Sequence, residues 1–392
     1  MKIAVEPFRP EHEAAAAAFN RRMRDGCAPT AFVLPARAST VAMGSATLTN
    51  YVAVDSNGDL RGGMLCQEHP AIAGGCVQPV VSLQSPVSEG IIDRRFAFVA
   101  PQMIRHLVRL KPLAFAVGMG SADAPLPRVL QALGWRLHAV PFFFRLLDVA
   151  RCLRELRPLR ETRARRLAAA FATRTGIAAI GTAVAHRVPA DVRRETHRFQ
   201  SEPVKSWSGW ADAVWQGFAG AASFGVCRTS GVLPFLYRDA GRTVRAWRLT
   251  RDGAPEGWFA LAIARQSGSP YFGDLTVATL ADCVGTPAAI RAGLALAVEQ
   301  ARAAGADLVI TNQMHRLLQE SCLAAGWRRG PSNFLLGTSP LLSAAFDAPR
   351  AYITRRDGDG LTNLVGERHA VPSDSTGRPA ATRVPENDPV LS

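Results

Sequence analysis

The residues best suited to bind a ligand stand at the start of a helix predicted near residue 286. Thr286 is a favourable N-cap residue, and Pro287 suits the first helical position, where the missing N–H of proline costs nothing. The free N–H groups of such a helix start and the positive end of the helix dipole together bind anions. Arg291, one turn into the helix, adds positive charge. Two interpretations stay open, an anion site and a helix that merely packs on a sheet.

Three tryptophans cluster between residues 206 and 218, at positions 207, 210 and 215. Aromatic side chains of this kind can wall a pocket for a sugar or a peptide. The spacing from Trp210 to Trp215 also fits the core side of a helix. The pattern does not choose between a pocket and a core.

Metal and thiol chemistry have little support in the sequence. His315 has no second ligand at metal spacing, so we expect it to cap or solvate a helix. The seven cysteines are scattered without a C-x-x-C pair, which indicates neither a disulfide framework nor a zinc site. Cys322 is expected to be a small buried hydrophobe. We therefore expect no metal and a reduced, cytoplasmic protein.

The composition is typical of a soluble globular protein, with 48% hydrophobic and 20% charged residues. A length of 392 residues suggests two or three domains. Because no apolar run reaches the ~18 residues of a spanning helix, we expect no membrane span. The formal charge of +14, mostly from arginine, favours anionic partners such as coenzyme A or nucleic acid. An arginine-rich composition can equally reflect a GC-rich genome.

The second half of the chain repeats the first. Each half has a predicted hairpin, with turns at 56–59 and 250–253, and a helix that ends at a glycine followed by Trp-Arg, at Gly134 and Gly326. An internal repeat of a whole domain is the simplest account. Each half ends in a predicted aromatic strand, at 142–147 and 333–336. The predicted order in the second half is strand 273–280, loop 282–285, helix 287–304, strand 306–311 and helix 314–325.

This order of elements resembles the cofactor half of a GCN5-related N-acetyltransferase (GNAT) domain. The resemblance implies an α/β (α+β) fold of two tandem GNAT-like domains, each a mixed, mostly antiparallel twisted sheet flanked by helices. The predicted units are a first domain at 1–148, an arginine-rich connector at 149–175, a second domain at 176–345, a turn and strand at 346–364 and a disordered tail at 365–392.

The resemblance also implies an activity, the transfer of an acetyl or other acyl group from acyl-CoA to an amine. The acceptor would be an amino sugar, a polysaccharide precursor or an amino-acid derivative, that is, a small molecule, sugar or peptide. In this interpretation the second half binds acyl-CoA, and the first half is a degenerate copy that shapes the acceptor site. The protein would be a monomer or a homodimer.

Individual site residues follow from the same resemblance. The acyl-CoA signature is Gln or Arg, two residues, Gly, one residue, then Gly or Ala, and in the register 282–287 Gly285 fits it. The implied cofactor contacts are Val277, Val284, Gly285, Thr286, Arg291 and Asn312, and the implied acceptor contacts are Trp207, Trp210 and Tyr271. Amine acylation needs a base for the ammonium and N–H donors for the oxyanion. The candidate bases are Asp274, Asp282 and Glu89.

The sequence departs from the family pattern in its acid. Many members carry a Tyr four residues before the last helix glycine, to protonate the leaving thiolate, whereas this chain has Leu130 and Cys322 there. Two alternatives therefore stay open. One is a transfer from aminoacyl-tRNA, as in the relatives that build peptidoglycan bridges, which the charge of +14 would suit. The other is a non-catalytic binding or scaffolding protein.

Overall fold

The computed structural model describes residues 2–28, 33–38, 40–156, 189–238, 244–269 and 271–358. Most of the predicted connector at 149–175 and the whole of the predicted tail at 365–392 lie outside the described residues. The domain boundaries stay a prediction.

Within the described residues, nine strands form a first sheet in the order β1-β3-β4-β5-β6-β16-β7, with β2 beside β3 and β10 beside β4. Neighbouring strands are antiparallel except β5 and β6, which are parallel. The strands are β1 (Ile3–Pro7), β2 (Thr40–Met43), β3 (Ala46–Asp55), β4 (Leu60–Ala73), β5 (Cys76–Ser88), β6 (Ala114–Val117), β7 (Arg136–Ala139), β10 (Phe224–Val226) and β16 (Leu335–Thr338).

Seven strands of the described chain form a second sheet in the order β15-β8-β14-β13-β12-β11-β9. Here β13 and β14 are the parallel neighbours. The strands are β8 (Phe142–Leu146), β9 (Gln200–Pro203), β11 (Val244–Arg251), β12 (Ala254–Arg265), β13 (Thr276–Gly285), β14 (Leu308–Asn312) and β15 (Arg328–Gly330).

The two sheets exchange their aromatic strands. In the first sheet β16 lies between β6 and β7, with Leu336 opposite both Val117 and His138. In the second, β8 lies between β14 and β15, with Phe144 opposite Ile310 and Arg328. The sequence correctly predicts that each half ends in an aromatic strand, but it does not indicate which sheet the strand joins. Apolar alternation specifies that a segment is a strand, whereas its partner is chosen by the tertiary fold.

Helices cover both sheets, and the largest hydrophobic core lies between the sheets, joining Phe115 and Phe224 of the first to Trp258 and Phe259 of the second. The helices are α1 (Glu13–Asp25), α2 (Val99–Leu110), α3 (Pro125–Ala132), α4 (Val149–Glu155), α5 (Ala190–Thr196), α6 (Gly209–Ala219), α7 (Leu233–Leu236), α8 (Pro287–Ala303), α9 (Arg316–Ala324) and α10 (Pro340–Ala344). Helix α8 packs closely on β13 because it presents alanines and Gly293, where a Cβ would lie 3.2 Å from the Cys283 Sγ.

The predicted fold class and the hairpin turn at 56–59 are confirmed. A second turn, Gly74-Gly75, joins β4 to β5, and both glycines have positive φ, 62° and 82°, as two-residue hairpins require. The predicted loop at 282–285 is wrong, since β13 continues to Gly285 opposite Gly257. Asp and Gly are typical loop residues, but here Arg228 compensates the Asp282 charge.

No helix within the described residues has both the length and the apolar character needed to cross a bilayer.

Candidate functional site

The start of helix α8 carries its own carboxylate. The Thr286 hydroxyl accepts a hydrogen bond from the Ala289 N–H at 3.2 Å and donates to the Glu256 Oε2 at 2.9 Å. The Thr286 N–H donates to the Glu256 carbonyl oxygen at 3.0 Å. Arg251 holds the other carboxylate oxygen of Glu256 at 2.7 Å. The predicted N-cap is present, but an incoming diphosphate would meet a negative charge at this helix start.

Gly285 occupies a position that admits no other residue without strain. Its φ is +151°, and a Cβ would lie 2.4 Å from the Glu256 carbonyl oxygen and 2.6 Å from the Gly257 Cα. We expect Gly285→Ala to lower the free energy of unfolding by about 2–3 kcal/mol, from backbone strain and overpacking. Urea unfolding measures this loss.

The control for this prediction is Gly253→Ala. Gly253 also has positive φ, +80°, but nothing lies within 4 Å of its Cβ position, so we expect a loss of about 1–2 kcal/mol. Equal losses for the two variants would contradict a packing role for Gly285. A bulky residue at position 285 is therefore expected to destabilise the fold, so its effect on ligand binding can be interpreted only in a variant that is shown to fold.

Arg291 is engaged by a neighbouring helix. Its Nε and Nη2 both donate to the Glu195 carboxylate of α5 at 2.7 Å. The hydrogen bond and charge of Glu195 raise the pKa of Arg291 above its ordinary value. This ion pair links α8 to α5. It also neutralises the positive charge of Arg291 that was expected to bind a phosphate of the cofactor.

Asp282 lies fully buried at the centre of a polar cluster. Its two oxygens accept five hydrogen bonds. The donors are the Arg228 Nε and Nη2 at 3.0 Å each, the Tyr237 hydroxyl at 2.8 Å, the Tyr352 hydroxyl at 3.0 Å and the Thr354 hydroxyl at 2.9 Å. Arg228 also donates to Asp357 at 2.8 Å. We name Arg228, Tyr237, Asp282, Tyr352, Thr354 and Asp357 the buried cluster.

Burial and neighbouring charges shift the pKa values of four members of the buried cluster. Burial, and then the charge of Asp282, hold the pKa of Tyr237 and of Tyr352 well above the ordinary value, so both remain donors. Burial opposes the charge of Arg228, but Asp282 and Asp357 hold its pKa well above its ordinary value. Burial raises the pKa of Asp357, and the Arg228 charge acts against that rise. The Asp282 carboxylate accepts five hydrogen bonds and so has no free lone pair to take up a proton. Its role as a base stays a prediction.

The chain fills the opening between β13 and β14 itself. These parallel strands pair only from Val277 to Thr279 and then diverge. Segment 351–358 enters beyond this point, where the Met314 N–H donates to the Ile353 carbonyl oxygen at 3.1 Å and Thr354 bridges to Gln313. On the other side the Tyr352 hydroxyl oxygen lies 3.3 Å from the Cys283 carbonyl oxygen. Residues of the buried cluster thus occupy the part of the second half where parallel strands separate.

The remaining residues predicted for the cofactor are structural in their contacts. Val277 and Val284 are buried within β13, opposite Ala264 and Trp258. The Asn312 Nδ2 donates to the Val140 carbonyl oxygen at 3.0 Å and joins β14 to the segment before β8.

The other two candidate bases lie apart from Asp282. Asp274 is exposed and accepts from the Gly268 N–H at 2.7 Å. Glu89 is buried and accepts from Arg22 at 2.8 Å and Arg61 at 2.9 Å. The structure therefore does not bring the three carboxylates together.

Trp207 and Trp210 do meet, with ring centroids 5.5 Å apart. Trp207 also packs on Trp258 at 4.8 Å and on Tyr237 at 6.1 Å. Both tryptophans are partly buried, so they form the rim of the core and leave one side accessible. Tyr271 is 59% exposed and takes no part in this aromatic cluster.

The first half has a different opening, between β5 and β6. The two strands pair only at Val81 and Ser82, and beyond Ser82 the hydrogen bonds of β5 within the described chain go to β4. Helix α2 follows through two short 3-10 turns, and no side chain caps its start. Phe98 and Ile91 are 39% and 47% exposed there. This helix start therefore keeps N–H donors that the start of α8 has already used.

A polar group that the sequence analysis missed lies between the sheets. His69 of β4 is 2% exposed, and neither ring nitrogen has a hydrogen-bond partner within the described residues. The Ser82 hydroxyl of β5 is also buried without a partner there. The Gly74-Gly75 turn was the available signal, because it sets β4 against β5 and so places His69 near Ser82.

Within the described ranges, no three His, Cys, Asp or Glu side chains gather as metal ligands do. The cysteines are free thiols, and Cys322 is fully buried. Burial raises the pKa of Cys322 well above its ordinary value, which fits a packing residue.

Comparison with known proteins bears on the fold. No family model matches the sequence, and no curated protein matches it. Among solved structures, the chain is similar to a GCN5-related N-acetyltransferase from Anabaena variabilis ATCC 29413, at 10% identity and a TM-score of 0.50, over 86% of this chain and 72% of the other.

Two further structures have lower TM-scores. A probable N-acyltransferase from Enterococcus faecalis V583 has 11% identity and a TM-score of 0.46, over 86% and 72% of the two chains. A tandem GNAT protein from the clavulanic acid biosynthesis pathway has 16% identity and a TM-score of 0.44, over 86% of this chain and 99% of the other.

The chain has the fold of the GNAT acyltransferases, with two mixed sheets flanked by helices. The resemblance stated from the sequence is confirmed at this level.

Proposed function

We propose that this protein is an acyl-CoA-dependent N-acyltransferase that transfers an acyl group to the amine of a small molecule or peptide. The fold supports this activity class. We propose further that acyl-CoA binds the first half, at the opening between β5 and β6 and the start of α2. One contrast carries this choice. No side chain caps the start of α2, whereas the Glu256 carboxylate already lies at the start of α8.

The first half offers the physical elements of an acyl-CoA site. Val99 and Ala100 begin α2, and no side chain caps the N–H groups of this first turn, although Pro101 supplies none. Arg94 and Arg95 precede the helix and are exposed. Arg95 is paired with Asp93 at 2.6 Å, so Arg94 is the arginine that can approach phosphates with little desolvation cost. The edge of β5 beyond Ser82 carries backbone N–H groups of the kind that polarise a thioester carbonyl. Catalysis at such a site relies on positioning and on these donors.

The second half keeps a supporting role in this proposal. Segment 351–358 and the buried cluster close its opening, and Arg291 is held by Glu195. The assignment of acyl-CoA to the second half stays a prediction that the same experiment tests.

Matched glutamates at the two helix starts distinguish the halves. Ala100 and Ala288 are both second residues of their helices and both partly buried. A glutamate at this position is favourable for the helix dipole but repels a diphosphate. Because both sites are partly buried and Glu256 lies at the start of α8, thermal unfolding must first show that both variants are folded. We expect Ala100→Glu to weaken acetyl-CoA binding at least about tenfold, and Ala288→Glu to leave it unchanged, by isothermal titration calorimetry.

The opposite pattern would assign acyl-CoA to the second half. An intact protein that binds no acyl-CoA of any chain length would contradict the proposed function. Salt-dependent binding of tRNA would then favour the aminoacyl-tRNA alternative, and binding of neither would favour a scaffold.

A further inference from the structure

The face of the first sheet that looks toward the second half holds unsatisfied polar atoms. His69 lies opposite Val80, and Ser82 follows two residues later on the same face of β5. Diagonal neighbours of this kind lie within reach of one ligand. Both His69 ring nitrogens and the Ser82 hydroxyl lack partners among the described residues. Because buried polar groups are normally hydrogen-bonded, three such atoms at one place indicate a binding position.

His69 is bounded by aromatic rings from both halves. Its ring lies 6.1 Å from Phe115 of β6, nearly parallel, and 6.4 Å from Phe235 of α7, edge-on. These contacts fix the imidazole without using its nitrogens. The ring is therefore held in place for a partner that comes from outside this set of residues.

Positive charge surrounds the same position. Arg356 lies 5.3 Å above the Tyr237 ring, and its guanidinium makes no ion pair with a described residue. Arg238 lies 4.2 Å above the Phe235 ring, which also contacts His69. Burial, followed by the charges of Arg228, Arg356 and Arg238, lowers the pKa of His69 to about 3. Asp282 and Asp357 compensate Arg228, whereas the Arg356 Nε has no hydrogen-bond partner among the described residues.

We propose that the unpartnered polar atoms of His69 and Ser82, together with the nearby guanidinium of Arg356, bind an oxyanion, a carboxylate or phosphate group carried by the amine acceptor. A guanidinium, an imidazole N–H and a hydroxyl are the donors that such a group accepts from. Ser82 is the last residue of β5 that pairs with β6, so the anion is held beside the opening proposed for acyl-CoA. The assignment of the anion to the acceptor rests on the proposed function, whereas the anion site itself does not.

The test uses inorganic phosphate and acetate, at constant ionic strength and without any acyl-CoA. The nitrogen resonances of His69, assigned with a His69→Phe variant, report binding at this position alone. We expect a saturable shift in the wild type. In Arg356→Gln the affinity should fall at least about tenfold, and the probe that binds more tightly identifies the oxyanion class.

Arg355→Gln is the matched control. Arg355 is adjacent and also partly buried, but it packs on Phe142 and Phe334 at 5.8 and 5.6 Å, away from His69. This variant should bind within about twofold of the wild type. Unchanged His69 resonances, or equal losses in the two arginine variants, would overturn the proposal. Retention of the His69 shift in Ala100→Glu would separate this site from the acyl-CoA site.

Discussion

Replacing Arg228 by methionine is expected to lower the free energy of unfolding by about 3–5 kcal/mol, because it leaves two buried carboxylates uncompensated. Arg228 is fully buried and holds Asp282 with two hydrogen bonds and Asp357 with a third. Removal of the guanidinium also removes its contact with the Tyr352 ring, whose centroid lies 5.2 Å from the Arg228 Cζ. Urea unfolding at neutral pH measures the loss, provided that far-UV circular dichroism shows a folded variant.

Arg291→Met is the control for this result. Arg291 also makes two hydrogen bonds to one carboxylate, but the pair is partly exposed, with 34% and 23% of the two side chains accessible. Solvent screening limits its contribution to about 1 kcal/mol or less. Comparable losses for the two variants would show that burial does not set the strength of the Arg228 pairs. The triple variant Arg228→Met, Asp282→Asn, Asp357→Asn should recover part of the loss, since no buried charge of the three remains.

The second large effect is a loss of stability in acid that His69 causes. Burial and the neighbouring Arg228, Arg356 and Arg238 lower the pKa of His69 from 6.5 to about 3 in the folded state. Between these values the unfolded chain binds a proton that the folded chain does not. Stability is therefore complete above pH 6.5 and falls by about 1.4 kcal/mol for each pH unit below it.

A His69→Phe variant isolates this contribution. Burial also lowers the pKa of His138 and His315, so the wild type loses stability from several groups at once. The difference between wild type and variant measures His69 alone, and the variant should have the shallower slope from pH 6.5 to 4.5. Val80→Ala, at the position opposite His69, should lower stability equally at every pH. Parallel curves for wild type and His69→Phe would contradict the low pKa of His69.

Local sequence signals predicted most of the elements, and their limits are physical. The hairpin at 56–59, the N-cap Thr286 and the helix ending before Gly326 depend on residues close in the chain, and the structure has all three. The charge at Asp282 could not be judged in this way. Its partners Arg228 and Asp357 lie 54 residues before it and 75 residues after it. The neighbouring sequence therefore indicates a loop carboxylate or a catalytic base, whereas the fold places Asp282 inside a strand.

The candidate site shows the same limit. A favourable N-cap at Thr286 indicates a good helix start, but only the fold brings Glu256 against it. The Gly74-Gly75 turn places His69 near Ser82, but no local pattern indicates its other surroundings, which come from α7 and from the segment after residue 350. Sequence reasoning therefore predicted the architecture more readily than the atoms of the site.

The exchange of β8 and β16 sets the order in which this protein can be completed during its synthesis. The ribosome delivers the first half early, but β16, which lies between β6 and β7, emerges only after residue 338. Until then the edges of β6 and β7 stand open, and exposed strand edges invite pairing with other chains. The first sheet can therefore be completed only when nearly the whole polypeptide has been synthesised. We infer that either half made alone associates with a second copy or needs a chaperone.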